Sequence, residues 1–253
     1  DRLVSRRLAD FPGGEAELEV LRADVGLPHA GVGRARYATL DREAREFVET
    51  LLGAAGGTLV FLEPIVVDLT GVGWRLVGRI ERVTDRGLLH FRPSTLKSKD
   101  YLRAWIPHVV VNALESAPAR ETTLVGKDKT VSFAALEDAS ATLDVLVQGF
   151  IAGCALPPPV LERASFAYAQ TLASSTKDPH QAREAALKAA RNGLEGNSFQ
   201  KSRGDADEEH FRIVFRDREP LGNELARFEE SARALWGPLL AVATESNPGE
   251  EPS

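Results

Sequence analysis

Gly78-Arg79-Ile80-Glu81-Arg82-Val83, then Leu88-Leu89-His90-Phe91-Arg92 after a short turn, is the stretch that decides how this chain is read. Both segments are rich in branched and aliphatic residues, which favour a pleated surface. Asp85-Arg86-Gly87 supplies the turn, with Gly87 suited to a positive φ. Working backwards, Leu59 to Leu69 has the same character and is joined to Trp74–Val83 by a turn at Thr70 to Gly73. The expectation is a three-stranded antiparallel meander. A helix precedes it, capped by Thr39 or Asp41 and ended by Gly53 to Gly57. Its Leu40, Ala44, Phe47, Val48, Leu51 and Leu52 fall on one face at helical spacing. Another helix follows from Ser98 to Glu115, and Pro107 inside it costs about 3 kcal/mol in a regular helix, so a kink or break is expected there. Glu121 to Phe133 reads as a hairpin around Gly126-Lys127-Asp128-Lys129. The order is helix, three strands, helix, strand.

The flanks are different. Residues 1–36 are broken by Pro12-Gly13-Gly14, Pro28 and Gly31 to Gly33, and read as a lead-in with one short helix near Ala16 to Ala23. After residue 137 the pattern is helical: a helix carrying Leu143, Leu146, Val147, Phe150 and Ile151 that stops at Gly153, then Glu162 to Ala173, then Pro179 to Asn192. Pro157-Pro158-Pro159 forces an extended segment between the first two. Gly196 to Asp207 reads as an exposed loop. The last helix places Leu221, Leu225, Phe228, Leu235, Trp236, Leu239 and Leu240 on one stripe, and the Pro/Gly/Glu/Ser tail after Glu245 is expected to be disordered. The fold class is therefore α/β of the α+β kind, with a core at 1–137 and a helical extension at 138–253 packed on the same domain.

Composition limits the function. Of 253 residues, 43% are hydrophobic and 27% charged, the profile of a soluble globular domain. No membrane span and no signal segment are visible, and Cys154 is alone, so a reducing cytoplasmic setting is expected. Between Gly153 and Ala155, that cysteine reads as a small core residue. The net charge of −6 argues against wrapping duplex DNA over the whole surface. Local basic groups remain at Arg34 with Arg36, Lys97 with Lys99 and Arg103, and Lys201 with Arg203; most such groups are solvated faces. Because the first residue is Asp1, the chain reads as a piece of a longer one.

The strand order resembles the core of restriction-endonuclease-like nucleases, whose metal-assisted chemistry needs oxygen ligands for a hard cation on two adjacent strands. Gly78 to Val83 resembles the Gly-x-Ile-Asp-Arg-Val of active members, with Glu81 at the aspartate position. Laid on their Asp-Tyr-Lys, the next strand puts His90 at the carboxylate and Arg92 at the lysine. Neutral imidazole lacks the anionic oxygen that Mg²⁺ prefers, and guanidinium is a wide, permanently charged substitute for an ammonium. The expectation is a degenerate centre at Glu81, His90 and Arg92, with no catalytic residue, no metal and no cofactor. Glu81 with Arg79 reads more simply as an ion pair.

In sequence order, Gly87 to Ser94 is similar to a Gly-Leu-Leu-x-(aromatic)-Arg-Pro-Ser segment. Leu102 to Ala113, with Trp105 and His108, resembles the helix that follows it. Gly149 to Leu161 and Leu194-Glu195-Gly196-Asn197 match further stretches. This ordered set resembles the C-terminal part of the RecC family, the gamma subunits of exodeoxyribonuclease V, over most of residues 20–240. The resemblance implies an inactive domain inside a multisubunit ATP-dependent exodeoxyribonuclease acting in double-strand break repair by homologous recombination. Its implied partners are the RecB and RecD subunits and the separated DNA strands, with exposed apolar patches on the last helix as the physical counterpart. Lys97, Lys99, Arg103, Lys127 and Lys129 are the DNA-binding candidates.

Two other classes compete. An active metal-dependent nuclease would need Glu81 together with Asp68 or Asp85, neither of which sits in the motif. A stand-alone binder of single-stranded DNA would need aromatic platforms beside basic residues, and only 7% of the chain is aromatic. Gly71-Val72-Gly73 precedes a strand rather than a helix, Gly126-Lys127 lacks the earlier glycine of a phosphate loop, and His90 with His108 is too small a set for zinc.

Overall fold

The computed structural model describes residues 2–9, 11, 13–115, 117, 120–197 and 202–249. Three helices lead in: α1 (Arg2–Leu8), α2 (Glu15–Val25) and α3 (Ala30–Ala54). The expected break at Gly31 to Gly33 is absent, and Thr39 and Asp41 lie inside α3 rather than capping it. Gly33 is used for close approach: a Cβ there would sit 1.8 Å from the Pro28 carbonyl oxygen. A buried ion pair ties this region together. Arg7 donates to Glu17 at 2.5 Å, and the Tyr37 hydroxyl donates to the same carboxylate at 2.6 Å. Burial opposes the charge on Glu17, but these bonds outweigh it and bring its pKa to about 2.

The strands follow as β1 (Ile65–Gly71), β2 (Trp74–Ile80), β3 (Val83–Thr84) and β4 (Gly87–Phe91). They do not form one meander. β1 and β2 make a separate two-stranded hairpin, while β3 and β4 begin a five-stranded sheet. The break falls at Arg82, whose φ of 60° puts a non-glycine residue in the left-handed region. That turn redirects the chain, and the Arg82 carbonyl then accepts from the Leu89 amide at 3.0 Å. Phe61 bridges Thr84 in antiparallel fashion, so the segment before the hairpin stands beside β3 where the first core strand is expected.

α4 (Ser98–Asn112) crosses over to β5 (Thr122–Val125), which pairs parallel with β4, His90 opposite Leu124. Pro107 does not split α4, which runs unbroken past it. β6 (Thr130–Phe133) completes the expected hairpin with β5. Then come α5 (Ala139–Ala155), α6 (Glu162–Ala173), α7 (Pro179–Glu195), a small hairpin of β7 (Gly196–Asn197) and β8 (Ser202–Arg203), α8 (Glu209–Val214) and α9 (Leu225–Val242). The stretch read as an exposed loop instead carries that hairpin and a 3₁₀ turn at Asp205–Asp207, where buried Asp205 accepts from the Arg163 and Ala164 amides at the start of α6. Lys201 lies outside the described residues.

The chain returns to the sheet as β9 (Ala243–Ser246), antiparallel to β6, so order persists past Glu245; residues 250–253 lie outside the described residues. The sheet order is β3-β4-β5-β6-β9. Trp105 and Val109 of α4, Phe133 of β6, Tyr168 of α6 and Phe228 and Trp236 of α9 share one core cluster. A smaller cluster of Phe47, Leu51, Leu89, Phe91 and Val125 packs α3 on the opposite face of the sheet. The fold is α+β with a helical elaboration.

Two exposure expectations are overturned. The apolar stripe of α9 faces inward, with Phe228, Trp236 and Leu239 fully buried. α5 is the element left open: Phe150 is 74% exposed, Val145, Ile151 and Leu156 are exposed too, and Cys154 lies at the surface rather than in the core. The β1–β2 hairpin touches α5 through Trp74 Nε1 to Asp144 at 2.9 Å and adds exposed Val66, Val72 and Val77. No helix among the described residues is long and apolar enough to cross a membrane.

Candidate functional site

His90 and Arg92 stand two residues apart at the end of β4, and successive even positions on a strand share a face. Both line one cleft of 460 Å³ with Arg82, Ser94, Lys99, Asp100 and Arg103. Three elements build it. β4 ends at Phe91, and the Arg92 amide is held by the Val125 carbonyl at 2.9 Å. Pro93 to Leu96 then turns back toward the β5–β6 tip, where the Leu96 amide donates to Asp128 at 2.9 Å. The first turn of α4 closes the far side. Asp100, three residues after the helix cap, accepts from the Lys97 amide at 2.9 Å, an ordinary helix-start arrangement.

The same carboxylate is used twice. Arg92 Nη1 lies 2.8 Å from each Asp100 oxygen, and Arg92 Nε donates to Ser94 Oγ at 2.6 Å. Arg92 therefore serves as a clamp between β4 and α4. Arg103, one turn further along α4, approaches Asp100 at 3.9 Å with a side chain 73% exposed. Arg82 is half-buried, its guanidinium 4.2 Å from the centre of the Phe91 ring. Burial lowers its pKa, only partly offset by Glu81. Burial, with the charge of Arg82 added, also holds His90 down at about 4, so its ring is neutral at pH 7, and Nε2 is buried without a hydrogen-bond partner.

Glu81 is not part of this cleft. It sits where the chain leaves β2, 68% exposed, and pairs with Arg79 at 3.0 Å. Asp68 is paired across the hairpin with Arg75 at 2.7 Å, and Asp85 lies in the β3–β4 turn. Among the described residues no three His, Cys, Asp or Glu side chains come together in a group able to hold a metal ion. Of the basic candidates, Lys99 and Arg103 line the cleft. Lys97 lines a separate depression with Glu162 and Arg163. Lys127 is engaged by Glu43 at 3.2 Å and Lys129 by Glu245 at 2.8 Å.

Sequence reasoning missed Arg82 and Asp100. Asp100 carried a signal, an acid three residues past the cap of a helix. Arg82 stands at the arginine of the Gly-x-Ile-Asp-Arg-Val resemblance, but its left-handed turn and its stacking on Phe91 are tertiary features with no mark in the sequence.

Residues 1–173 match the family model described as the RecC C-terminal domain. The chain belongs to that family. A curated relative, the RecBCD enzyme subunit RecC of Escherichia coli (strain K12), is 26% identical over 220 residues, covering 85% of this chain. The chain spans only 19% of that protein's length. The RecC-like match takes in β1 to β6, α4 and the whole cleft; α7, α8, α9 and the edge strand β9 lie beyond the residues matched by the family model.

Proposed function

We propose that this RecC C-terminal domain is non-catalytic and works as a structural part of a helicase–nuclease, holding partner subunits and guiding separated DNA strands during recombinational repair. The observation that carries the reading is the charge at the end of β4. A hydrolytic centre of this outline needs clustered anionic oxygens around a cation. Here a neutral histidine and an arginine occupy that strand, the arginine is fastened to Asp100, and Glu81 points to solvent beside Arg79. The pair Arg92–Asp100 gives the position a structural task in place of a chemical one.

The assembly half of the reading is supported by the open face of α5 and the hairpin. Monomeric proteins rarely leave large contiguous apolar surface in water, and a helix exposing Val145, Phe150 and Ile151 has the character of a protein–protein contact. RecB- and RecD-type subunits are the proposed partners. Co-purification with them tests this, comparing the native chain with Phe150→Asp and Val77→Asp, which leave the buried core untouched. Loss of one subunit from the purified complex is expected with the variants. Unchanged assembly would remove this face from the docking role.

A further inference from the structure

We propose that the cleft between β4 and α4 is a binding track for the phosphodiester backbone of a nucleic-acid strand, with Arg82, Lys99 and Arg103 as its contacts and Arg92 as its fixed floor. The assignment rests on the strand-guiding reading above and gives it a location.

Charge is the first argument. Four cations, Arg82, Arg92, Lys99 and Arg103, line the cleft against one carboxylate, Asp100, and that carboxylate is already committed to Arg92 and the Lys97 amide. In a chain of net charge −6 this is a local surplus of positive charge. Arg82 is the most telling member. It is half-buried and desolvated, it rests on an aromatic face, and it makes no ion pair or side-chain hydrogen bond among the described residues. An unpaired guanidinium is costly to bury and is relieved by an incoming anion. Buried, unpartnered His90 Nε2 in the same wall adds a polar atom with no partner inside the protein.

Shape is the second argument. At 460 Å³ the cleft is several times larger than one phosphate ion. Lys99 and Arg103 are one helical turn apart, so they extend the positive charge along α4 toward solvent. That is a track for a chain of phosphates, not a cradle for one. With Arg82 covering Phe91, the cleft offers no open aromatic platform, so recognition should follow the backbone and not the base.

The test is fluorescence anisotropy of the full 253-residue chain with a labelled oligothymidine of about 12 nucleotides. Binding should weaken about tenfold in Arg82→Gln and in Lys99→Ala, and each change should lower the log–log salt slope by about 1. Lys99→Ala removes a partly exposed side chain and keeps the test valid if Arg82→Gln disturbs the fold. Lys127→Ala and Lys129→Ala, outside the cleft, should change little. The His90 imidazole resonances should also shift on saturation. Absence of binding, or equal weakening by the Lys127 and Lys129 variants, would overturn the assignment. Displacement of the oligonucleotide by millimolar orthophosphate or by a free nucleotide would also overturn it, assigning the cleft to a small anion. None of these outcomes touches the non-catalytic reading, which fails separately if the same chain cleaves DNA.

Discussion

Arg92 Nη1 is 2.8 Å from both oxygens of Asp100, so a single guanidinium nitrogen joins the end of β4 to the first turn of α4. Asp100 is 4% exposed and Arg92 28%, and the pair is backed by Ser94 Oγ and the Lys97 amide. Removing one partner leaves a charge in a place built for two. Asp100→Ala is therefore expected to cost about 3 kcal/mol, read as a fall in the urea midpoint at unchanged slope. Glu81→Ala, at an exposed pair, should leave the midpoint where it is.

The turn between β3 and β4 depends on one glycine. Gly87 has φ of 131°, and a Cβ there would lie 2.1 Å from the Glu121 carbonyl oxygen. That oxygen accepts from the Leu88 amide at 3.0 Å, so the clash falls on a sheet hydrogen bond. Gly87→Ala should be destabilised by more than about 1 kcal/mol, visible as a lower midpoint in thermal or urea unfolding. A stability equal to that of the native chain would show that the turn can relax.

Trp236 of α9 is fully buried, packs edge-on against Phe166 at 4.8 Å and donates from Nε1 to Ser165 Oγ at 2.8 Å. Trp236→Ala should lose about 3–5 kcal/mol through the cavity it leaves. Trp236→Phe keeps most of the volume but leaves the buried Ser165 hydroxyl with one partner fewer, and should fall between the two. Equilibrium unfolding of both variants checks the order.

Two histidines make the fold acid-sensitive in a defined window. His108, fully buried with Nδ1 2.9 Å from Thr122 Oγ1, is lowered by burial from 6.5 to about 4, and His90 is lowered to about 4 by burial and then by Arg82. Their folded pKa lies below the unfolded value, so as pH falls the unfolded chain takes up protons first. The stability is whole above pH 6.5 and is lost as pH falls toward 4. Between pH 6.5 and about 4.5, His108 alone should account for about 2–3 kcal/mol. Urea midpoints across that range check it, and His108→Gln should flatten the slope even if it lowers stability throughout.

Much of the architecture was legible in the sequence because local signals agreed with tertiary demands. α6 and the β5–β6 hairpin fall where periodicity and turn residues put them. The misreadings share one cause, a residue whose local preference is overruled by its neighbours. Gly33 looks like a helix breaker, yet inside α3 it lets the Pro28 carbonyl approach. Pro107 loses a helix bond but stays within α4, whose Trp105 and Val109 are fully buried in the main core. Arg82 has no sequence mark of a left-handed turn, and that single residue separates the hairpin from the core sheet. Cys154 resembles a core cysteine by its small neighbours, but the face of α5 that carries it is open. At the site, reading His90 and Arg92 at acid and lysine positions rests on the resemblance to active nucleases, whereas the cleft that both residues line is seen only in the fold. That Arg92 is fastened to Asp100, and that Arg82 lies over Phe91, required the fold.

In this α+β domain the end of β4 carries a structural clamp and borders a positive cleft, with no acidic cluster among the described residues. Incubation of the purified chain with linear single- and double-stranded DNA in Mg²⁺ or Mn²⁺ tests the non-catalytic reading most directly, with Glu81→Ala run alongside. Intact DNA in every lane is the expected result. Cleavage by the native chain that disappears in Glu81→Ala would contradict that reading.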